Sequence, residues 1–167
     1  MRQPMSHPLC YTKRMKMKNK IRKDLIQPIF DLDGTLIKEN RGSNRLFDFT
    51  NPKKIEENLL ESDLTPLALL IRDSGRFFDI LTARGSKNAP FIRKALEKLG
   101  FNVRRIITVG VDINEPSDWA KVSSKRVAAK KQRVVRWVLR KLVDNDSRNL
   151  EGLEELGELV SENQTQF

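Results

Sequence analysis

Chemistry in this chain has to come from carboxylates, hydroxyls and lysines. It has one histidine, His7, and one cysteine, Cys10, both near its start, so a histidine base farther along, an internal disulfide and a Cys/His zinc site are excluded. The acids that stand out are Asp31 and Asp33, two residues apart and followed by Gly34 and Thr35. In a turn leaving a strand, residues i and i+2 can face the same side, and glycine permits the sharp bend. Two further polar groups stand behind apolar runs: Thr82 after residues 77–81, and Asp144, with Asn145 and Asp146, after Leu142 and Val143. Carboxylates gathered without histidine suit a hard divalent cation with oxygen ligands, Mg²⁺ before others. Such an ion suits phosphate chemistry, because it neutralises oxygens that carry charge through the transition state.

The elements that must position these groups follow from apolar spacing. Residues 25–30, 77–82, 105–111 and 142–144 read as short buried strands. Pro28 is awkward inside the first, because it donates no ladder hydrogen bond. Residues 38–58 read as polar and irregular, with Gly42, Asn44, Asn51 and Pro52 as breakers. The spacing predicts a helix over 64–72, with Pro66 in its first turn and Gly75 to stop it. A second runs over 88–99, with Phe91, Ile92, Ala95, Leu96 and Leu99 on one face and Gly100 as its cap. A long basic helix begins near Ser123, and a last amphipathic helix covers 150–160. Strands alternating with helices predict an α/β fold, a Rossmannoid parallel sheet flanked by helices. Ligands then bind beyond the carboxyl ends of the strands, where Asp31, Asp33, Thr82 and Asp144 fall.

Asp31-Leu32-Asp33-Gly34-Thr35 behind an apolar strand resembles motif I of the haloacid dehalogenase (HAD) superfamily of phosphohydrolases. Ile80-Leu81-Thr82-Ala83-Arg84 resembles motif II, and Asp144-Asn145-Asp146-Ser147-Arg148-Asn149 the acidic motif IV. The resemblance implies that Asp31 is a nucleophile forming an aspartyl-phosphate, and that Asp33 protonates the leaving oxygen and then activates water. It implies that Thr82 binds a phosphoryl oxygen, that Thr35, Ala83 and Arg84 contribute to substrate binding, and that Asp31, Asp33 (through its carbonyl) and Asp144 hold Mg²⁺. Asn145 departs from the paired-acid form of motif IV, unless Asp146 substitutes. Purely structural readings of the same residues are an Asx turn at 31–34, a strand-end hydroxyl at Thr82 and helix capping by residues 144–146.

The resemblance also requires a motif III lysine. Lys121, Lys125, Lys130 and Lys131 are all candidates. Helical phase selects Lys131, which falls near the centre of the apolar face made by Val127, Val134, Val135, Val138 and Leu142. A lysine there needs a carboxylate partner or must snorkel to water. Spacing pulls toward Lys125, because only 12 residues separate Lys131 from Asp144.

Of the formal net charge of +10, residues 1–24 carry +7. They read as a basic, disordered leader or a nucleic-acid arm, ahead of a HAD-like domain at 25–160 and a tail at 161–167. No apolar run reaches the roughly 18 residues of a membrane span, and no apolar segment follows the leader's charges as in a secretory signal. The expectation is a cytoplasmic protein. Neither 36–79 nor 83–131 has room for a full cap domain, so the site is expected to be open. Open sites in this superfamily take large substrates. With the basic leader, Arg84, Lys87, Arg104, Arg105 and the run at 125–141, that favours a polyanion. The implied substrate is a phosphorylated nucleotide or nucleic-acid end, as in the small nucleotidases and polynucleotide phosphatases of the superfamily. Residues 36–63 folded over the site would admit a free nucleotide. Trp119 and Trp137 are available to stack on bases or to enter the core. The alternative is a catalytically weak HAD-like module that holds nucleic acid or a protein partner.

Overall fold

Short apolar runs and amphipathic helices alternate along the chain, and in the computed structural model, which describes residues 27–39 and 51–164, they build one parallel sheet. Its strands are β1 (Ile29–Phe30), β2 (Phe77–Thr82), β3 (Asn102–Thr108), β4 (Leu142–Asp144) and β5 (Gly157–Leu159), in the order β3-β2-β1-β4-β5. All neighbouring pairs are parallel. The helices are α1 (Pro52–Glu61), α2 (Pro66–Ser74), α3 (Ala89–Lys98) and α4 (Ser124–Val138). This is the expected α/β Rossmannoid arrangement. The leader at 1–24, and Leu25 and Ile26 of the expected first strand, lie outside the described residues.

Consecutive residues of β1 point to opposite faces and found two cores. On one face Phe30 joins Phe78, Ile80, Ile55, Leu59, Leu67, Ile92 and Leu96, which come from β2 and α1 to α3. On the other, Ile29 joins Leu81, Leu142 and Val135, the last from α4. Pro28 does not interrupt a central strand, because β1 starts one residue later, where the Ile29 N–H donates to the Lys141 carbonyl at 2.8 Å.

Three expectations are corrected. Residues 51–58 are not irregular: Asn51 caps α1 by accepting the Lys53 N–H, and Pro52 occupies its first turn, so the supposed breakers initiate a helix. Helix α1 buries Ile55 and Leu59 in the core beside α3, so this part of the 36–63 segment belongs to the helical layer. Strand β3 starts three residues earlier than expected and ends at Thr108, because Phe101 and Val103 are buried. Residues 150–160 are not a helix. Gly152, at φ 71°, breaks the chain into short 3-10 turns, and Gly157 opens the edge strand β5.

The helix stops fall where expected: Gly75 (φ 68°) ends α2 and Gly100 (φ 95°) follows α3. Helix α4 runs to Val138, Leu139 turns it at φ 55°, and a three-residue link leads to a three-residue β4. A short strand thus fits the narrow interval between Lys131 and Asp144. Among the described residues no separate cap is present, and no helix is long and apolar enough to cross a membrane.

One buried acid holds the amino-terminal side of the sheet. Asp79 on β2 is 1% exposed and accepts from Arg104 Nε and Nη2 at 3.0 and 2.7 Å, and from Arg140. Arg140 also donates to the Gln27 carbonyl, which ties the start of β1 to the α4–β4 link. Arg104 is therefore engaged within the fold. Burial would raise the Asp79 carboxyl, but the Arg104 and Arg140 hydrogen bonds and charges hold it down at about 2. Because the folded value lies below the ordinary 3.8, the stabilisation is complete above about pH 4 and is lost as pH falls toward 2. Urea denaturation across that window should show wild type losing about 2 kcal/mol more than Asp79→Asn.

Candidate functional site

Strand order reverses around β1, which lies between β2 and β4, and the chain leaves this switch point through Asp31. The Asp31 N–H donates to the Val143 carbonyl at 2.9 Å, which continues the ladder and brings Asp31 beside Asp144. The turn then closes on the Leu32 carbonyl, which accepts from the N–H groups of Thr35, Leu36 and Ile37. Gly34 sits at φ 83°, and a Cβ there would come within 2.2 Å of the Asn145 amide. The Thr35 hydroxyl donates to Asp31 Oδ2 at 2.9 Å. From the start of α2, the Thr65 hydroxyl donates to the Thr35 carbonyl at 2.7 Å and accepts the Ala68 N–H, so one side chain both caps a helix and fixes the turn.

Lys131 reaches this edge from the inner face of α4. Its ammonium donates to Asp31 Oδ1 at 2.6 Å and to Asp144 Oδ2 at 2.8 Å, and the lysine is 1% exposed. Lys125 and Lys130 are exposed. Burial alone would push the Lys131 ammonium down, but the two carboxylates outweigh it and hold it above its ordinary value. Burial pushes the Asp31 carboxyl up to about 7, with Lys131 opposing and Asp144 adding to the rise. Two acids on one ammonium leave this cluster short of positive charge.

Asp33 faces Arg84. The guanidinium donates Nε to Asp33 Oδ2 at 2.9 Å and Nη2 to Oδ1 at 2.8 Å, a two-pronged pair, while Nη1 reaches Asn88 Oδ1 at 3.3 Å. Thr82, fully buried at the end of β2, accepts the Arg84 N–H at 3.1 Å. Ala83 is exposed at the lip. Its carbonyl lies so close to Gly110 that a Cβ there would stand 1.7 Å away, and the Gly110 N–H donates to the Arg84 carbonyl at 3.2 Å. Asp112 accepts from the Lys87 N–H and the Ser86 hydroxyl, buckling the loop after β2 to the loop after β3.

Residues 144–149 divide their work. Asp144, with no exposed surface, accepts from Asn149 Nδ2 at 3.0 Å and from the Asp146 N–H at 2.9 Å. Asp146 turns away and pairs with Arg148, capping the 3-10 turn Ser147–Leu150, so it does not stand in for an acid at 145. With its amide turned so that the nitrogen faces the acids, the orientation that satisfies both ends of the amide, Asn145 donates to Asp31 Oδ2 at 2.9 Å, the Asp33 carbonyl at 3.0 Å and Asp144 Oδ1 at 3.3 Å. Three oxygens thus converge on one point, where they share the two N–H donors of the amide.

Among the described residues no three Asp, Glu, His or Cys side chains come together as a metal cluster. The convergence is of two carboxylates and one backbone carbonyl, a hard oxygen set that fits a small divalent cation once the Asn145 amide swings aside. An open cleft of about 490 Å³ borders Asn145 and is rimmed by Glu39 and Glu162.

The site therefore gathers Asp31, Asp144, Lys131 and Thr35 in direct hydrogen bonds, with Asp33 and Arg84 paired beside them and Thr82 under the same loop. The sequence reading missed the Arg84–Asp33 pair, Asn88, Thr65 and the donor role of Asn145. Comparison with protein-family models, with curated proteins and with solved structures gives no match.

Removing Lys131 strands two buried acids. Lys131→Met should cost about 3–5 kcal/mol, and adding Asp31→Asn should recover part of that loss in a double-mutant cycle by urea denaturation; additive losses would count against the coupling. Asn145→Ala, measured in chelator, should cost about 1–3 kcal/mol, because three buried oxygens lose the amide's hydrogen bonds.

Proposed function

We propose that this chain is a Mg²⁺-dependent phosphomonoester hydrolase that works through an aspartyl-phosphate on Asp31, with a nucleotide or a nucleic-acid terminal phosphate as substrate. The observation that carries the reading is the lysine-bridged pair Asp31 and Asp144 at the switch point of a parallel sheet, with a second acid, Asp33, two residues beyond the first. The motif resemblance to HAD phosphohydrolases supports the same assignment. A cytoplasmic setting fits a chain whose single cysteine cannot form an internal disulfide.

In the proposed reaction an Asp31 carboxylate oxygen attacks phosphorus, and the bond from phosphorus to the ester oxygen breaks. Asp33 gives the departing oxygen a proton. Asp33 then takes a proton from water, whose oxygen attacks phosphorus and breaks the bond to Asp31, releasing inorganic phosphate. The covalent stage divides one hard displacement into two. Lys131 holds Asp31 in place and offsets its charge. Thr82 donates a hydrogen bond from its hydroxyl to a phosphoryl oxygen. Asp31, the Asp33 carbonyl and Asp144 would hold Mg²⁺, which when bound neutralises charge on the phosphoryl oxygens. Arg84 pairs with Asp33; a phosphate dianion would compete for the guanidinium and release Asp33 to take up the proton it must deliver.

The Asn145 amide, seated on the metal-facing oxygens, favours the second reading of a catalytically weak module. Hydrolysis of an aryl phosphate and of a 3′- and a 5′-phosphorylated oligonucleotide separates the two. Asp31→Asn should abolish turnover on all of them. Asp33→Asn should cost about 10²–10⁴-fold in steady-state turnover on every substrate, because hydrolysis of the aspartyl-phosphate is common to all of them. Inert wild type on every substrate, with Mg²⁺ present, would leave the binding module.

A further inference from the structure

We propose that the outer face of α4 is a binding tract for single-stranded nucleic acid, with Trp137 as the base-stacking platform and Arg126, Lys130 and Arg133 as phosphate contacts. These four residues stand at i, i+4, i+7 and i+11, which places them within about 60° of one another around the helix and along about 16 Å of its length. All four are exposed, and Trp137 is 85% so, the highest value among the large apolar side chains of the described residues. The core side of α4 is already made by Val127, Ala128, Lys131 and Val135, so the indole has no packing role there.

Charge points the same way. From Trp119 to Val143 the chain has nine lysines and arginines and no acid. Elsewhere on the surface Lys54, Arg93, Lys98, Lys141 and Arg148 each pair with a carboxylate. Among the described residues Arg126, Lys130 and Arg133 have no such pair. Lys130 and Arg133 also line an open cleft of about 270 Å³ against Thr108, Val109 and Gly110. Gly110 packs on the Ala83–Arg84 backbone, so the cleft lies beside the loop that carries Arg84. The opposite cleft, at Asn145, has Glu39 and Glu162 on its rim and repels a polyanion. A strand reaching the site is thus favoured along α4.

An indole amid cations suits a base above it and phosphates beside it. Duplex bases are stacked on one another and present no face to Trp137, whereas single-stranded bases do. An acidic protein would satisfy the charges but leave the indole unused. The tract selects a strand over a free nucleotide and rests on the proposed hydrolase only for that choice; binding itself needs no hydrolysis.

The test is fluorescence anisotropy of a labelled oligothymidylate titrated with the full chain in chelator, where turnover does not intervene. Trp137→Ala should weaken binding by roughly tenfold and remove most of the tryptophan quenching that the oligonucleotide causes. Arg126→Ser with Arg133→Ser should weaken binding and reduce the slope of log affinity against log salt by about 1.4. All variants keep the basic residues at 1–24, so wild-type affinity in all of them would put the contact outside α4 and overturn the proposal. Absence of oligonucleotide binding by wild type would overturn it too. Polyglutamate competing as well as the oligonucleotide would assign the face to an acidic protein instead. Binding with these variant effects but no phosphatase activity would sink the hydrolase and leave the tract standing.

Discussion

One ammonium, that of Lys131, joins three elements, one of them 100 residues away along the chain. It bonds Asp31 beyond β1 and Asp144 at the end of β4 from the inner face of α4, with almost no exposure to water. Burying a lysine and two carboxylates is costly, and only close mutual contact offsets the lost hydration. The rest of the edge follows from that constraint. Val135, one turn further along α4, packs against the Ile29 face of the sheet and fixes the helix at the height from which its lysine can reach the acids. The short link after Leu139 and the three-residue β4 then return the chain in time to place Asp144.

Around this cluster, small local devices hold each oxygen. Thr35 turns its hydroxyl back onto Asp31, and Thr65 fixes Thr35 from the neighbouring helix. Gly34 makes room for Asn145, and Gly110 lets two loop backbones meet. None of these contacts is strong alone, since a typical hydrogen bond contributes about 1 kcal/mol net. Together they leave Asp31 little freedom, which suits the nucleophilic role proposed for it. Asp33 is less enclosed, with 24% of its side chain exposed, and it accepts two hydrogen bonds from Arg84. A fixed first acid and a releasable second one match the two different tasks proposed for them.

What the sequence made legible was mostly periodic or local. Strand ends at Thr82 and Asp144 follow from apolar runs that stop at a polar residue, and helical phase alone points Lys131 inward. Asn51 and Pro52 were misread because the same residues punctuate loops and start helices; only the buried Ile55 and Leu59 that follow decide between them. Residues 150–160 carry Leu150, Leu153 and Leu156 at helical spacing, yet two glycines and the open edge of β4 favour a strand. The Arg84–Asp33 pair joins residues 51 apart, and no local pattern announces it. Asn145 looked like a missing charge. Its value as a donor to three oxygens is visible only once β1 and β4 lie side by side.

The pattern of charge around the sheet edge gives the account its direction. An acid-rimmed cleft lies on the β5 side and an uncompensated cationic helix on the β3 side, with the lysine-bridged acids between them. A phosphorylated strand would meet attraction along α4 before it met the carboxylates. The most direct measurement of the central claim is to mix the full chain with a radiolabelled 3′- or 5′-phosphorylated oligonucleotide and Mg²⁺, quench in acid within the first turnover, and map the label by peptide mass. The account predicts a hydroxylamine-labile phosphoryl group on Asp31. Phosphate release over many turnovers with no label ever found on Asp31 would contradict it.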